Sequence, residues 1–152
     1  LPVKKQRQEA QKRQQAAAAN KIICRAKELL GLPWVHQGRN PNLGLDCAGL
    51  CIEVLRTSGV IIDAPADYGR AANPEKMQYI IDTYCDKVSH PMGGDFLLIK
   101  FRHTPRHLGI VIDKKTMIHS YENKGVIVQE LNRFWTDRIV GIYRIKPKFI
   151  NL

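Results

Sequence analysis

Asp46-Cys47-Ala48-Gly49-Leu50 puts a thiol at the start of a helix, directly behind a turn rich in Gly and Asn. Leu50, Cys51, Val54 and Leu55 fall on one helical face, Gly59 stands where a C-terminal cap belongs, and Asp46 has the chemistry of an N-cap. Cys47 then lies among backbone N–H groups that have no intrahelical partner, at the positive end of the helix dipole. Such a position favours the thiolate, the reactive form of the side chain. Asp46 opposes that ionisation unless capping or a ligand engages its charge. A cysteine alone in this setting is an ordinary buried helix residue; with a base in reach it is a nucleophile.

Two histidines can supply the base and its orienter. His107-Leu108-Gly109-Ile110-Val111-Ile112-Asp113 is dense in β-branched residues, and Met117-Ile118-His119-Ser120-Tyr121 follows a polar turn at Lys114-Lys115. This pattern predicts a β-hairpin. A strict two-residue turn would pair 113 with 116 and send the histidines to opposite faces, because strand side chains alternate. A three-residue connection or a bulge pairs 111 with 115 and sets His107 directly opposite His119, with Cβ atoms about 5 Å apart. One imidazole can then take the Cys47 proton while the other fixes its tautomer. A rival chemistry is a Cys2His2 zinc site, since Cys47/Cys51 and His103/His107 each enclose three residues. Against it, the two pairs lie far apart in the chain and Cys51 belongs to the apolar face of its helix.

Gly31-Leu32-Pro33-Trp34, Gly38, Leu45 to Leu50, Gly94-Asp95-Phe96-Leu97, His107-Leu108-Gly109-Ile110 and Ile118-His119 occur in one order. That order resembles the motifs of the papain-like NlpC/P60 cell-wall peptidases, over most of residues 21–145. The run His36-Gln37-Gly38-Arg39-Asn40-Pro41 resembles, more narrowly, the branch found in phage tails and gene transfer agents. The resemblance implies hydrolysis of a peptide bond in the peptidoglycan stem, typically between D-glutamate and a diamino acid. Cys47 would attack the carbonyl, His107 would act as base and then acid, and His119 would orient His107. The backbone N–H of Cys47 is the matching oxyanion donor, while Asp46, Trp34, His36 and Gln37 become candidate substrate-binding groups. No cofactor and no metal are called for. Ala48 departs from the family's usual serine and supplies no hydroxyl, and Trp34 replaces the usual tyrosine, keeping a donor but losing an acceptor. By the same resemblance the chain is expected in the virion tail of a phage or tail-like particle, made in the bacterial cytoplasm, with hub or tip proteins as partners. A catalytically silent tail-tip subunit is the alternative within that setting.

The elements that must position these groups read as α+β: an antiparallel sheet of about five strands with the nucleophile helix packed on one side. Strands are expected after the Gly94 turn, in the hairpin, at Val126–Val128 and at Ile139–Ile145, and a short helix around Glu75–Cys85. At 152 residues the chain suits one core rather than two. No apolar stretch is long enough to span a membrane, and the basic start runs into Gln and Ala rather than the apolar region of a signal peptide.

The net charge is +10. No aromatic platform or binding motif accompanies it, so nucleic acid is not an expected partner. Residues 1–20 carry Lys4, Lys5, Arg7, Lys12 and Arg13 against Glu9 alone. Their Gln and Ala content favours helix, but without an apolar stripe they read as a solvated basic extension, or one ordered by a partner. Apolar periodicity begins at Ile22-Ile23, so residues 21–152 are taken as the peptidase-like domain. The four cysteines are expected to remain thiols, with Cys24 and Cys85 as small buried residues. Arg39, Arg70, Arg102 and Arg106 are candidate partners for stem carboxylates.

Overall fold

The computed structural model describes residues 2–60, 62, 74–102 and 104–150. It opens with α1, Val3–Glu28, whose Ala18, Ile22 and Ala26 form a fully buried stripe at four-residue spacing. The boundary expected near residue 20 therefore falls inside a continuous helix. Gly94 (φ +87°) presses against it so closely that a Cβ there would lie 2.8 Å from the Ala19 Cα. N-terminal to that contact the helix is largely exposed. At its other end Gly31 adopts φ +93°, the left-handed conformation that glycine takes without steric cost.

A two-stranded ribbon follows, β1 (Arg39–Asn40) against β2 (Gly44–Leu45), and leads straight into α2, Cys47–Thr57. Ser58 caps α2 and Gly59 turns the chain at φ +86°, as its sequence position requires. After α3 (Pro74–Tyr84) the chain passes at once into β3 (Cys85–Val88), then β4 (Phe96–Phe101), β5 (Thr104–Val111), β6 (Thr116–Tyr121) and β7 (Gly125–Glu130). A single helical turn, α4 (Arg133–Thr136), precedes β8 (Ile139–Ile145).

The sheet has six strands in the order β3-β8-β4-β5-β6-β7, antiparallel throughout, rather than about five. The additional strand is β3. Asp86 and Lys87 are exposed on this edge strand, so it lacks the apolar run that marks the others.

Side chains alternate between two cores. Leu98, Leu108, Ile110, Ile118, Val126 and Tyr143 meet the buried faces of α1, α2 and α3, whereas Leu97, Ile99, Val111 and Met117 face the opposite way, toward Trp135 of α4. Each fully buried Leu, Ile or Val contributes roughly 1.5–3 kcal/mol over its exposed state. The Gly94-Asp95 turn is fixed by charge: Asp95 is 1% exposed and takes Arg144 Nε and Nη2 in two 2.9 Å bonds, plus the Met92 N–H at 2.7 Å. That clasp joins the entry of β4 to β8.

Candidate active site

Cys47 is the first residue of α2, and the helix starts there because Asp46 stays extended (φ −83°, ψ −175°) and caps it. The Asp46 Oδ1 accepts the Gly49 N–H at 2.7 Å. The same oxygen takes Arg39 Nη1 at 2.7 Å, and Arg39 Nη1 also donates to the Gly38 carbonyl at 2.9 Å. A Cβ on Gly49 would sit 2.0 Å from that carbonyl, so glycine is what lets the ribbon lie on the first turn of α2.

The histidines arrive on β5 and β6, but not in the expected register. Ile110 pairs with Ile118 and Val111 with Met117, instead of 111 with 115. Asp113 causes the difference: its Oδ1 accepts the N–H groups of Lys115 and Thr116 at 2.8 and 2.9 Å, holding a longer loop. The paired numbers still have an even sum. His107 and His119 therefore share a face, placed diagonally, and their rings meet at Nε2 of His107 and Nδ1 of His119, 2.7 Å apart.

That face is the one opposite α2. Cys47 reaches β5 through its backbone: the Leu108 N–H, bonded to the carbonyl carbon of His107, is a hydrogen-bond donor to the Cys47 sulfur. Among the described residues, β5 and β6 are paired only at 110–118 and 111–117, so the strands are no longer paired toward the histidines.

Around the histidine pair stands a set of groups that carry no motif signal. Trp135 lies edge-on to His119 at 4.9 Å between ring centroids, Tyr121 stacks on His119 at 5.2 Å, and Phe101 lies 5.7 Å from His107. Tyr121 and Gln129 were findable by strand alternation from His119 and its partner Ile127. Trp135, on a single helical turn, offered no periodicity.

Burial governs the electrostatics. It pushes the Cys47 thiol up to about 12, with Asp46 acting in the same direction, against the Leu108 and Ala48 N–H groups and the Arg39 charge. This corrects the expectation of a thiolate favoured by the helix end: in the half-buried site desolvation outweighs the dipole. Burial likewise lowers His107 to about 3, with the His119 ring adding to the effect. It lowers His119 to about 4, while the Gln129 side chain acts the other way. Nε2 of His119 is buried and has no hydrogen-bond partner among the described residues, so Gln129 acts on the ring from close by rather than through a formed bond. The resting groups are thus neutral thiol and neutral imidazoles.

The other sequence-predicted substrate-binding residues lie on the loop that leads into the β1–β2 ribbon. Trp34 is half-buried and His36 exposed, their rings 6.1 Å apart, and Gln37 closes the turn at φ +54°. Among the described residues their ring contacts do not extend to the cluster around His119. Leu32 on the same loop accepts the Val126 N–H of β7 at 2.9 Å, which sets the loop along the sheet edge. Arg39 is turned inward to Asp46, and Arg102 is exposed in the β4–β5 turn. Arg70 and the Arg106 side chain lie outside the described residues, as does His103 of the zinc alternative. Among the described residues no cluster of three or more His, Cys, Asp or Glu side chains is arranged to hold a metal. All four cysteines are thiols, and Cys85 is buried as expected. Cys24 is exposed, contrary to expectation, because it lies off the Ala18-Ile22-Ala26 stripe.

The sequence profile of the NlpC/P60 family matches residues 31–144. The chain belongs to this family. It is 26% identical to the gamma-DL-glutamyl hydrolase of Bacillus subtilis (strain 168) over 134 residues, 82% of this chain but only 29% of that protein. The chain thus spans less than a third of that relative. The NlpC/P60 domain of the peptidoglycan hydrolase SagA superposes with a TM-score of 0.59 at 20% identity, covering 84% of this chain and 97% of that one. The peptidoglycan hydrolase RipB of Mycobacterium tuberculosis gives 0.61 at 18% identity, covering 96% and 69%. The α+β papain-like architecture of NlpC/P60 domains is accordingly the fold of this chain.

Proposed function

We propose that this domain is a cysteine peptidase that hydrolyses peptidoglycan stem peptides at the bond between D-glutamate and the diamino acid. The observation that carries the reading is the 2.7 Å contact of His107 with His119, on the strand whose Leu108 N–H meets the Cys47 sulfur. The similarity to a protein named gamma-DL-glutamyl hydrolase supports the choice of bond.

In this reading Nε2 of His107 donates to Nδ1 of His119, which leaves Nδ1 of His107 free to accept a proton. The His119 Nε2–H is then directed to the Gln129 amide oxygen. With the thiol pushed up to about 12 and the imidazole down to about 3, the pair rests uncharged. Proton transfer therefore accompanies attack. As the sulfur–carbon bond forms, the thiol proton passes to His107, and the developing oxyanion takes the Cys47 N–H at the start of α2. His107 then protonates the amine as the carbon–nitrogen bond breaks. Water, deprotonated by the same imidazole, releases the acid from the thioester. Asp46, Trp34, His36 and Gln37 are the groups assigned to the substrate.

Digestion of diaminopimelate-type peptidoglycan, followed by mass analysis, tests this. Wild type should release fragments with new D-glutamyl ends, and Cys47→Ser should lose activity by orders of magnitude. Folded wild type that generates no new peptide ends would overturn the assignment.

A place on a phage tail or tail-like particle is the second part of the proposal, supported by the His36–Pro41 run. Mass spectrometry of purified particles should find peptides of this chain together with hub or tip proteins. Particles without it would remove this part and leave the peptidase reading standing.

A further inference from the structure

The carboxylate beside the nucleophile is already engaged before any substrate arrives. Asp46 is 7% exposed, and its Oδ1 holds both the Gly49 N–H and Arg39 Nη1 at 2.7 Å. Arg39 is not a stray surface cation. Its side chain is 18% exposed, it leaves the ribbon at β1, and it binds the Gly38 carbonyl that the missing side chain of Gly49 lets down onto α2. The neighbours are consistent with a clamp built for this purpose: Gly38 is itself packed 2.4 Å, as a virtual Cβ, from the Gly44 carbonyl of the paired strand.

We propose that Arg39 is the positioning residue of the nucleophile, pinning the β1–β2 ribbon to the first turn of α2 and countering the Asp46 charge beside Cys47. This rests on Cys47 being the nucleophile. A bare carboxylate next to the sulfur would oppose every step in which sulfur gains charge; the guanidinium, held by bonds of 2.7 Å and 2.9 Å in the ribbon, weakens that opposition without giving up the helix cap. Among the described residues the charged and titratable groups that act on Cys47 are Arg39 from β1 and Asp46 at the cap of α2, with Cys51 one turn along the same helix. Of these, Asp46 raises the thiol and Arg39 lowers it. A single guanidinium nitrogen, Nη1, serves both the carboxylate and the carbonyl, so a lysine ammonium of similar reach can take the same two acceptors.

The test reads Cys47 directly and needs no substrate. The protein is alkylated with iodoacetamide at a fixed mildly alkaline pH, below the Cys47 inflection, where the labelling rate tracks the thiolate fraction, and labelling is followed on the Cys47 peptide by mass spectrometry, which separates it from exposed Cys24. Arg39→Gln should slow Cys47 labelling about threefold or more, and Arg39→Gln with Asp46→Asn should restore the rate. Arg39→Lys should label near the wild-type rate. On a stem-peptide substrate Arg39→Gln should lower kcat about tenfold with KM little changed. A labelling rate unchanged in Arg39→Gln, or one still slowed in the double variant, would overturn the proposal. If Arg39→Gln does not fold, Asp46→Asn alone decides, because asparagine keeps the cap and leaves Arg39 unopposed. Its Cys47 should then label faster than wild type, and an unchanged rate counts against the clamp. Alkylation shifts as described with no peptide cleavage would sink the peptidase reading and spare the clamp.

Discussion

Nε2 of His107 and Nδ1 of His119 sit 2.7 Å apart with Trp135 edge-on to one ring and Phe101 beside the other. Two neutral imidazoles in that contact must adopt complementary tautomers, one donating and one accepting. The hydrogen-bond direction, rather than charge, is what one ring imposes on the other.

It follows that the second histidine can be replaced by any neutral acceptor of similar reach. His119→Ala should reduce kcat about a hundredfold with KM near wild type, while His119→Gln, whose amide oxygen can accept from His107, should recover part of that loss. Steady-state kinetics on a stem-peptide substrate distinguish the two. Equal damage from both would show that the ring, not its acceptor, is needed.

Acid should unfold this domain through the same pair. His107 and His119 titrate near 6.5 when unfolded and at about 3 and about 4 in the fold. Between those values the unfolded chain binds more protons, so stability falls as pH drops from about 6.5 toward 4 and 3. Thermal melts should show the midpoint falling over that window, and the double replacement His107→Gln/His119→Gln should flatten the slope there. A double variant that retains the full slope would assign it to other groups.

Gly49 is set by packing against the ribbon. Gly49→Ala would bring a Cβ within 2.0 Å of the Gly38 carbonyl, a backbone atom that cannot swing aside. The expected cost is roughly 2–4 kcal/mol in urea unfolding, and the Arg39 clamp should loosen with it. Gly31→Ala, where no atom lies within 4 Å, should cost only the left-handed backbone strain of about 1–2 kcal/mol.

Trp135 supports His119 by contact alone. Trp135→Ala should cost about 3–5 kcal/mol as a large buried side chain is lost, and should lower kcat more than Trp135→Phe, which keeps an aromatic edge near the ring. Melting temperature and kcat measured together on both variants check this. A Trp135→Ala protein with full kcat would free His119 from any dependence on α4.

The sequence signals that held were those written in local chemistry. Asp46 as cap, Gly59 as helix stop, the turn before Asp95 and the shared face of the two histidines all depend on a few adjacent residues or on strand alternation. The exact hairpin register was not legible, because it hangs on how the Asp113 side chain folds back on its own loop. β3 escaped notice since its outward residues are charged and its partner strand is distant in sequence. The thiol's protonation is not legible for a different reason: the helix end is visible in sequence, but the desolvation that overrides it is a property of the packed site. Sequence marks Arg39 only as a candidate partner for stem carboxylates; the folded ribbon is what turns it inward to Asp46.

The strand order carries a timing consequence. β8 lies between β3 and β4, so the two segments that flank it have no common neighbour until residues 139–145 have been synthesised. Trp135, which walls in His119, also comes late. On the ribosome the histidine hairpin can zip early from local contacts, yet the sheet around it closes only through pairings of long sequence separation, which are slow to form. The surroundings of His107 and His119 are thus completed only after β8 has been made.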